Sequence, residues 1–264
     1  MLPLAQTDAM ASPALEPAVE FSEFRFFGPS HLVALALFAT VVVTMIVTAR
    51  RASPWTVRAM EKAAGLAMLA YIPVTIVLAW PVGWLTADHL VPLHVCDLVA
   101  LAAGVALLTR RPLAVEITYF WGLAATANGL ITPSLTVDFP RLHYFTFFWL
   151  HAGVVASALY LVLGPRLWPG PGSIRRVILV GYGYLLAVGL IDWIFGWNYG
   201  FLCGKPPTAS LFDALGPWPW YLLSVQALAI GMFFFLYAPF WGMGRRNGRN
   251  GSNGPTGRAA VPES

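Results

Sequence analysis

Charge is what this chain has least of. Only 11% of its 264 residues are Asp, Glu, Lys or Arg, against roughly 25% in a soluble domain. Hydrophobic residues make up 58%. A chain so composed cannot cover itself with a solvated surface, which excludes an ordinary water-soluble globule. Regular alternation of apolar and polar residues is also missing, which argues against a transmembrane β-barrel. Cysteine occurs twice, at Cys96 and Cys203, so one disulfide at most can form. No metal-ligand spacing is present, and neither metal nor cofactor is expected. The first residues carry Asp8, Glu16, Glu20 and Glu23 and lack the basic n-region of a secretory signal. No loop is long enough to hold a separate soluble domain. No pair of inverted repeats of the transporter kind is visible.

What is there instead is a series of seven long apolar runs, at about 31–49, 61–80, 89–108, 112–131, 142–164, 174–196 and 218–241. Each reaches the ~20 residues that carry a helix across a bilayer, and helices satisfy their own backbone groups, as lipid demands. The expected fold is all-α: a polytopic bundle of seven transmembrane helices over residues 24–241. An acidic flexible segment, 1–23, precedes it, and a basic disordered tail rich in Gly, Asn and Arg, 242–264, follows.

Basic residues give an orientation. Arg50, Arg51, Arg58, Lys62, Arg110, Arg111, Arg166, Arg175, Arg176, Arg245, Arg246, Arg249 and Arg258 fall on one side of a seven-span arrangement, and Arg25, Arg141 and Lys205 on the other. The positive-inside rule places the N-terminus outside and the C-terminus in the cytoplasm. The pI of about 9.3 then reflects topology, and no nucleic-acid partner is expected.

Polar side chains inside apolar runs mark function by default. Cys96 lies in the third run, roughly 10 Å below the outer surface at 1.5 Å per residue. His151 lies in the fifth, roughly 13 Å deep by the same rise. Asn128, Asp192 and Asn198 reach the same outer layer, and His94 and Asp97, three apart, share a face of the third helix. Pro92 is expected to kink that helix beside the site. A thiol with a nearby imidazole is the pair needed to form and break a thioester. Each residue also has a plainer reading. Cys96 packs as a small hydrophobe, His94 bonds Asp97, and His151 joins two helices. Asp192 either pairs with Arg141 or accepts from a loop amide. Cys203, in the last outer loop, is free, paired with Cys96, or itself reactive. Glu116, in the inner half, complements the start of its helix.

Several motifs carry a resemblance. Phe26-Phe27-Gly28-Pro29-Ser30-His31, Leu93-His94-Val95-Cys96-Asp97-Leu98, Tyr119-Phe120-Trp121-Gly122 and Thr132-Pro133 belong to it. So do Phe147-Phe148-Trp149-Leu150-His151, Asn198-Tyr199-Gly200-Phe201-Leu202-Cys203-Gly204-Lys205-Pro206 and Gly216-Pro217-Trp218-Pro219-Trp220-Tyr221. Over about residues 24–241 the chain resembles the YwaF-like family of bacterial seven-span membrane proteins. That family is similar to eukaryotic multispan TMEM-type acyltransferases, which remodel phospholipid acyl chains with a membrane Cys and His. It is more distantly similar to the androgen-induced lipid hydrolases, which use a Thr and a His. The resemblance implies Cys96 as nucleophile and His151 as base.

The expected function is therefore a membrane-embedded lipid acyltransferase or lipid hydrolase in the bacterial cytoplasmic membrane, with membrane lipid as acyl donor and acceptor. His94, Asp97, Asn128, Asp192 and Asn198 are expected to bind substrate or orient the pair, one aspartate holding His151. The rival expectation is a transporter or small-ligand receptor with a polar outer cavity.

Overall fold

The computed structural model describes residues 23–81, 91–206 and 211–241. The expected acidic N-terminal segment (but for Glu23) and the basic tail lie outside the described residues, as does the beginning expected for the third helix. Among these residues the regular elements are helices, apart from one isolated antiparallel bridge between Glu23 and Val137.

Helix α1 spans Pro29–Arg51 and α2 Pro54–Ala79. Both open with proline at the first helical position, where its missing N–H leaves no bond unmade. Ser53 caps α2, its Oγ accepting from the Thr56 amide at 3.2 Å. Helix α3 covers Val95–Thr109 and α4 Pro112–Trp121. A π-helical turn, Gly122–Thr126, and a one-turn helix α5, Asn128–Ile131, prolong α4. Helices α6 (Leu142–Leu163), α7 (Ser173–Phe195) and α8 (Trp220–Tyr237, extended by a 3-10 turn over Ala238–Phe240) complete the series.

Helices occupy all seven expected runs, but five of them are long and apolar enough to cross a membrane: α1, α2, α6, α7 and α8 with its 3-10 extension. The third and fourth runs differ from expectation for local reasons. Pro92 stands before α3 rather than inside it, so it does not kink α3. His94 is extended and forms the N-cap, and 15 helical residues follow. At the other end Arg110 turns into the left-handed region at φ 55°, and Pro112 prevents continuation. In the fourth run, the small residues Gly122, Ala124 and Ala125 permit a wider turn, closed by the Ala127 amide on the Gly122 carbonyl at 2.9 Å.

Helices α3 and α6 form the centre. Val99, Ala100, Ala103, Ala106 and Leu107 of α3 and Val154, Ala158, Tyr160 and Leu161 of α6 are fully enclosed. In α6, 67% of the apolar stretch is buried, against 11% in α1 and α8, so the outer helices present their apolar faces outward. Small residues bring the centre together. A Cβ on Gly65 of α2 would lie 3.1 Å from the Gly104 carbonyl of α3, and one on Gly104 would lie 3.0 Å from the Gly65 carbonyl. Such backbone contact replaces the hydrophobic drive that lipid does not supply.

The two ends of the bundle are chemically unlike. At one end Glu61, wholly buried, is gripped by Arg58, by Arg110 (2.7 Å) and by the Tyr160 hydroxyl (2.8 Å). Glu116 is held there too, by the Arg176 guanidinium at 2.8 Å. It serves as an ion-pair partner linking α4 to α7, beyond the helix-start role expected of it. The opposite end holds Cys96 and the other candidate residues.

Candidate functional site

The start of α3 builds the centre of this site. Val95 is the first helical residue and Cys96 the second. His94 is not on a helix face with Asp97, as the spacing suggested, but precedes the helix. Its ring packs edge-on against Tyr199 at 4.9 Å. Asp97, at the third helical position, reaches back to accept from the His94 amide, which is half of a capping box. That bond fixes where the helix begins and thereby where Cys96 sits. The Cys96 sulfur is thus carried in the first turn of α3, where the backbone amides have no partner within the helix. An anion formed there meets N–H groups at the positive end of a helix.

His151 is set by a different device. Its Nδ1 lies 2.9 Å from the Phe147 carbonyl. A carbonyl only accepts, so Nδ1 carries the proton and Nε2 keeps its lone pair in the neutral ring. The ring stacks on Phe147 at 4.0 Å. On its other side is Gly129 of α5, where a Cβ would come within 2.2 Å of His151 Cδ2. The ring is thus clamped between Phe147 and a position where any added side chain must displace it or α5. The orienting group at Nδ1, expected to be an aspartate, is a backbone carbonyl of the same helix.

The aspartates and asparagines have other tasks. Asp97 caps α3. Asp192 of α7, buried, accepts the Tyr199 amide on Oδ1 at 3.0 Å, the loop-amide alternative. Its Oδ2 is buried and makes no hydrogen bond among the described residues. Asn198 organises the last loop: its Oδ1 accepts from the amides of Cys203 and Gly204, and its Nδ2 donates to the Gly204 carbonyl. Cys203 is exposed there, and both cysteines are free thiols. Asn128 lines a cavity of about 530 Å³ between α4–α5, α7 and α8.

Three further residues belong to the site and were not singled out by sequence. Tyr71 of α2 and Tyr184 of α7 lie within electrostatic reach of Cys96 and Asp97. Tyr184 also donates to the Leu93 carbonyl at 3.0 Å, tying α7 to the start of α3. Their signal was a tyrosine in the middle of an apolar run, away from the interface belt where tyrosine usually sits. The third is His31, wholly buried. Its Nδ1 accepts from the Phe27 amide at 3.0 Å and its Nε2 donates to the Leu130 carbonyl at 2.8 Å. Leu130 follows Gly129, so His31 anchors the segment against which His151 rests.

The structure thus brings Cys96, Asp97 and His94 to one helix start, His151 against Gly129 of the short helix that Asn128 begins, and Asp192 and Asn198 to one loop. The loop and the helix start meet where Tyr199 touches the His94 ring. This arrangement is that of a multi-pass helical membrane protein with a thiol, an imidazole and several phenols at one end of its bundle. Residues 26–237 match the model of the TMEM164 family, and the chain belongs to that family. The match takes in the motifs from Phe26 to Tyr221. An uncharacterized protein of Treponema pallidum (strain Nichols) is 27% identical over 152 residues, which cover 56% of this chain and 61% of that protein. The chain thus spans less than two thirds of that relative's length. No solved structure matches the chain.

Proposed function

We propose that this protein is a membrane-embedded acyl-transfer or lipid-hydrolysing enzyme that works through Cys96 and His151. On this reading it is a YwaF-like member of its family with seven crossings, in the bacterial cytoplasmic membrane, its N-terminus and Cys96 end outside. The fourth helix is then a crossing completed by the π-turn and α5, whose backbone groups are bonded within the segment. The clustering of Arg58, Arg110 and Arg176 at the opposite end supports that orientation.

The observation that carries the reading is the His151 tautomer. With Nδ1–H committed to Phe147, Nε2 is the free base. The Cys96 S–H gives its proton to Nε2 as sulfur attacks the carbonyl carbon of a lipid ester. The tetrahedral oxyanion is met by the amides at the start of α3, by a Tyr71 or Tyr184 hydroxyl, or by Asn128. Collapse breaks the ester C–O bond, and Nε2–H protonates the leaving alkoxide. The acyl group is left as a Cys96 thioester. A second lipid hydroxyl, or water, then loses its proton to Nε2, attacks the thioester and releases thiolate, which takes the proton back. No metal or cofactor enters. His94, Asp97, Asp192 and Asn198 hold the helix start and loop around the reacting atoms, and Asp192 Oδ2 offers an acceptor to substrate.

A transporter or receptor would use the same end of the bundle without needing the thiol, and one experiment separates the two. A lipid-like electrophile in membranes should label Cys96, and His151→Ala should suppress the labelling in a protein that still melts cooperatively. Cys96→Ala, His151→Ala and the double variant should lose acyl transfer to the same extent, because members of a catalytic unit are not additive. Full labelling of Cys96 in a stable His151→Ala protein would remove the pair and leave the receptor reading.

A further inference from the structure

The cavity beside Asn128 has the dimensions and chemistry of a site for one lipid chain. Its volume, about 530 Å³, lies in the range of small-molecule sites. Among the described residues no charged side chain lines it, and its polar lining includes Asn128, Gln226 and two tyrosines. A headgroup would therefore find no partner inside, while hydrocarbon would lose nothing. On α8 the lining runs from Leu222 to Phe233, roughly 16 Å at 1.5 Å per residue. Half of the ~30 Å hydrocarbon thickness of a bilayer is about the same length. The cavity is one leaflet deep.

Its ends differ as the ends of an acyl chain do. At the Cys96 end are Val95, the neighbour of Cys96 in the chain, together with Asn128 and Tyr184. The floor is made of Val177 and Phe233, both buried, and Trp121 forms the wall midway, its ring 6.1 Å from that of Tyr184. Between them Ala124, Gly181 and Ala229 leave the passage open. Tyr182 and Leu228 line the cavity and are also about half exposed on the outer faces of α7 and α8. A chain can therefore enter sideways from lipid between these helices.

We infer that this cavity binds a single acyl chain of a membrane lipid, its carbonyl end toward Cys96 and Asn128 and its methyl end on the Val177–Phe233 floor, so that the floor sets the longest chain accepted. The assignment of the carbonyl end rests on the thioester reading of Cys96; the occupancy of the cavity does not. Gly181 is the natural place to shorten the site. A Cβ there meets nothing closer than Trp121 Cζ2 at 3.5 Å, an ordinary contact, so a larger side chain projects into space without displacing backbone.

The test uses the full chain in liposomes of phospholipid carrying a diazirine at a chosen depth in one acyl chain. A diazirine near the methyl end should crosslink Val177 and Phe233, and one near the carboxyl end Val95 and Asn128. Gly181→Leu and, independently, Ala229→Phe should abolish floor crosslinks from long chains and leave those near the carboxyl end intact. Floor crosslinks no stronger than those on Leu37 and Val41 of α1, or unchanged by both substitutions, would overturn the site. Repeating the measurement in Cys96→Ala separates the two proposals. Depth-dependent crosslinks in a protein that never forms a Cys96 adduct keep the acyl-chain site and discard the chemistry. A Cys96 adduct without floor crosslinks does the reverse.

Discussion

Gly129 is the residue on which the His151 geometry depends most directly. Its missing Cβ is the space in which the imidazole edge lies. In Gly129→Ala the added methyl must move either α5 or the ring, at a cost of about 1–3 kcal/mol for overpacking. Helix propensity works the other way and offsets up to about 1 kcal/mol. The net loss of stability should thus be small, while Cys96 labelling should fall nearly as far as in His151→Ala. Measuring melting and labelling on the same preparation separates the two effects. Cys203 behaves differently. It is exposed in the last loop and outside the proposed chemistry, and Cys203→Ser should keep most activity. Partial burial and the nearby charge of Asp192 raise its thiol. A raised thiol holds less thiolate at neutral pH, so alkylation of Cys203 should be slow at pH 7. It should climb only above the ordinary cysteine value of about 8.5. Asp192→Asn should shift that rise to lower pH, and an unchanged profile would show that the carboxylate does not act on the thiol.

At the scale of elements, the site depends on where α3 begins. Asp97 sets that point by accepting from the His94 amide. Asp97→Ala should cost about 1 kcal/mol, as loss of a cap does. It should also blunt Cys96 labelling, because the helix start that places the sulfur frays. Asp97→Asn keeps an acceptor oxygen and should recover most of both. If Asp97→Ala melted earlier yet labelled at the original rate, the cap would serve stability alone. The positions of all seven helical runs were legible in the sequence, because continuous apolar composition is read directly as helix in lipid. The start of α3 was not. Hydropathy continues smoothly through Leu93, Val95 and Leu98 and does not register the extended backbone at His94. The π-turn escaped for the same reason: Gly122, Ala124 and Ala125 look like any small-residue stretch. Cys96, His151 and Asn128 were visible as polar residues at one depth. What each bonds was invisible, since Phe147 offers a carbonyl that every residue has. His31 stood in a recognised motif, but its partner is 99 positions away.

The molecule as a whole is closed at its arginine end by Glu61, which the sequence analysis did not single out; only its Arg58 partner, three residues away, is local. The far partners, Arg110 of the α3–α4 junction and Tyr160 of α6, come from tertiary packing. One carboxylate thereby joins α2, α3 and α6, the three helices that also carry Tyr71, Cys96 and His151 at the opposite end. Glu61 is fully buried while Arg58 and Arg110 are 40% and 36% exposed, so water screens the cations and the network contributes less than a wholly buried one. Losing it should cost about 2 kcal/mol. The left-handed turn at Arg110 (φ 55°) gives a sharper test. A non-glycine residue there is strained by about 1–2 kcal/mol, and the bond to Glu61 is what offsets the strain. In the wild-type background Arg110→Gly relieves strain but leaves the Glu61 carboxylate underpaired, and it should lower the melting temperature. In a Glu61→Gln background there is no carboxylate left to pair, so the same Arg110→Gly change should be neutral or stabilising. The sign reversal is the prediction. Lys62→Gln, one residue away and exposed, should change neither. Equal effects of Arg110→Gly in both backgrounds would mean that the two residues act independently, and that the end of α3 is held by Pro112 and the helix contacts alone.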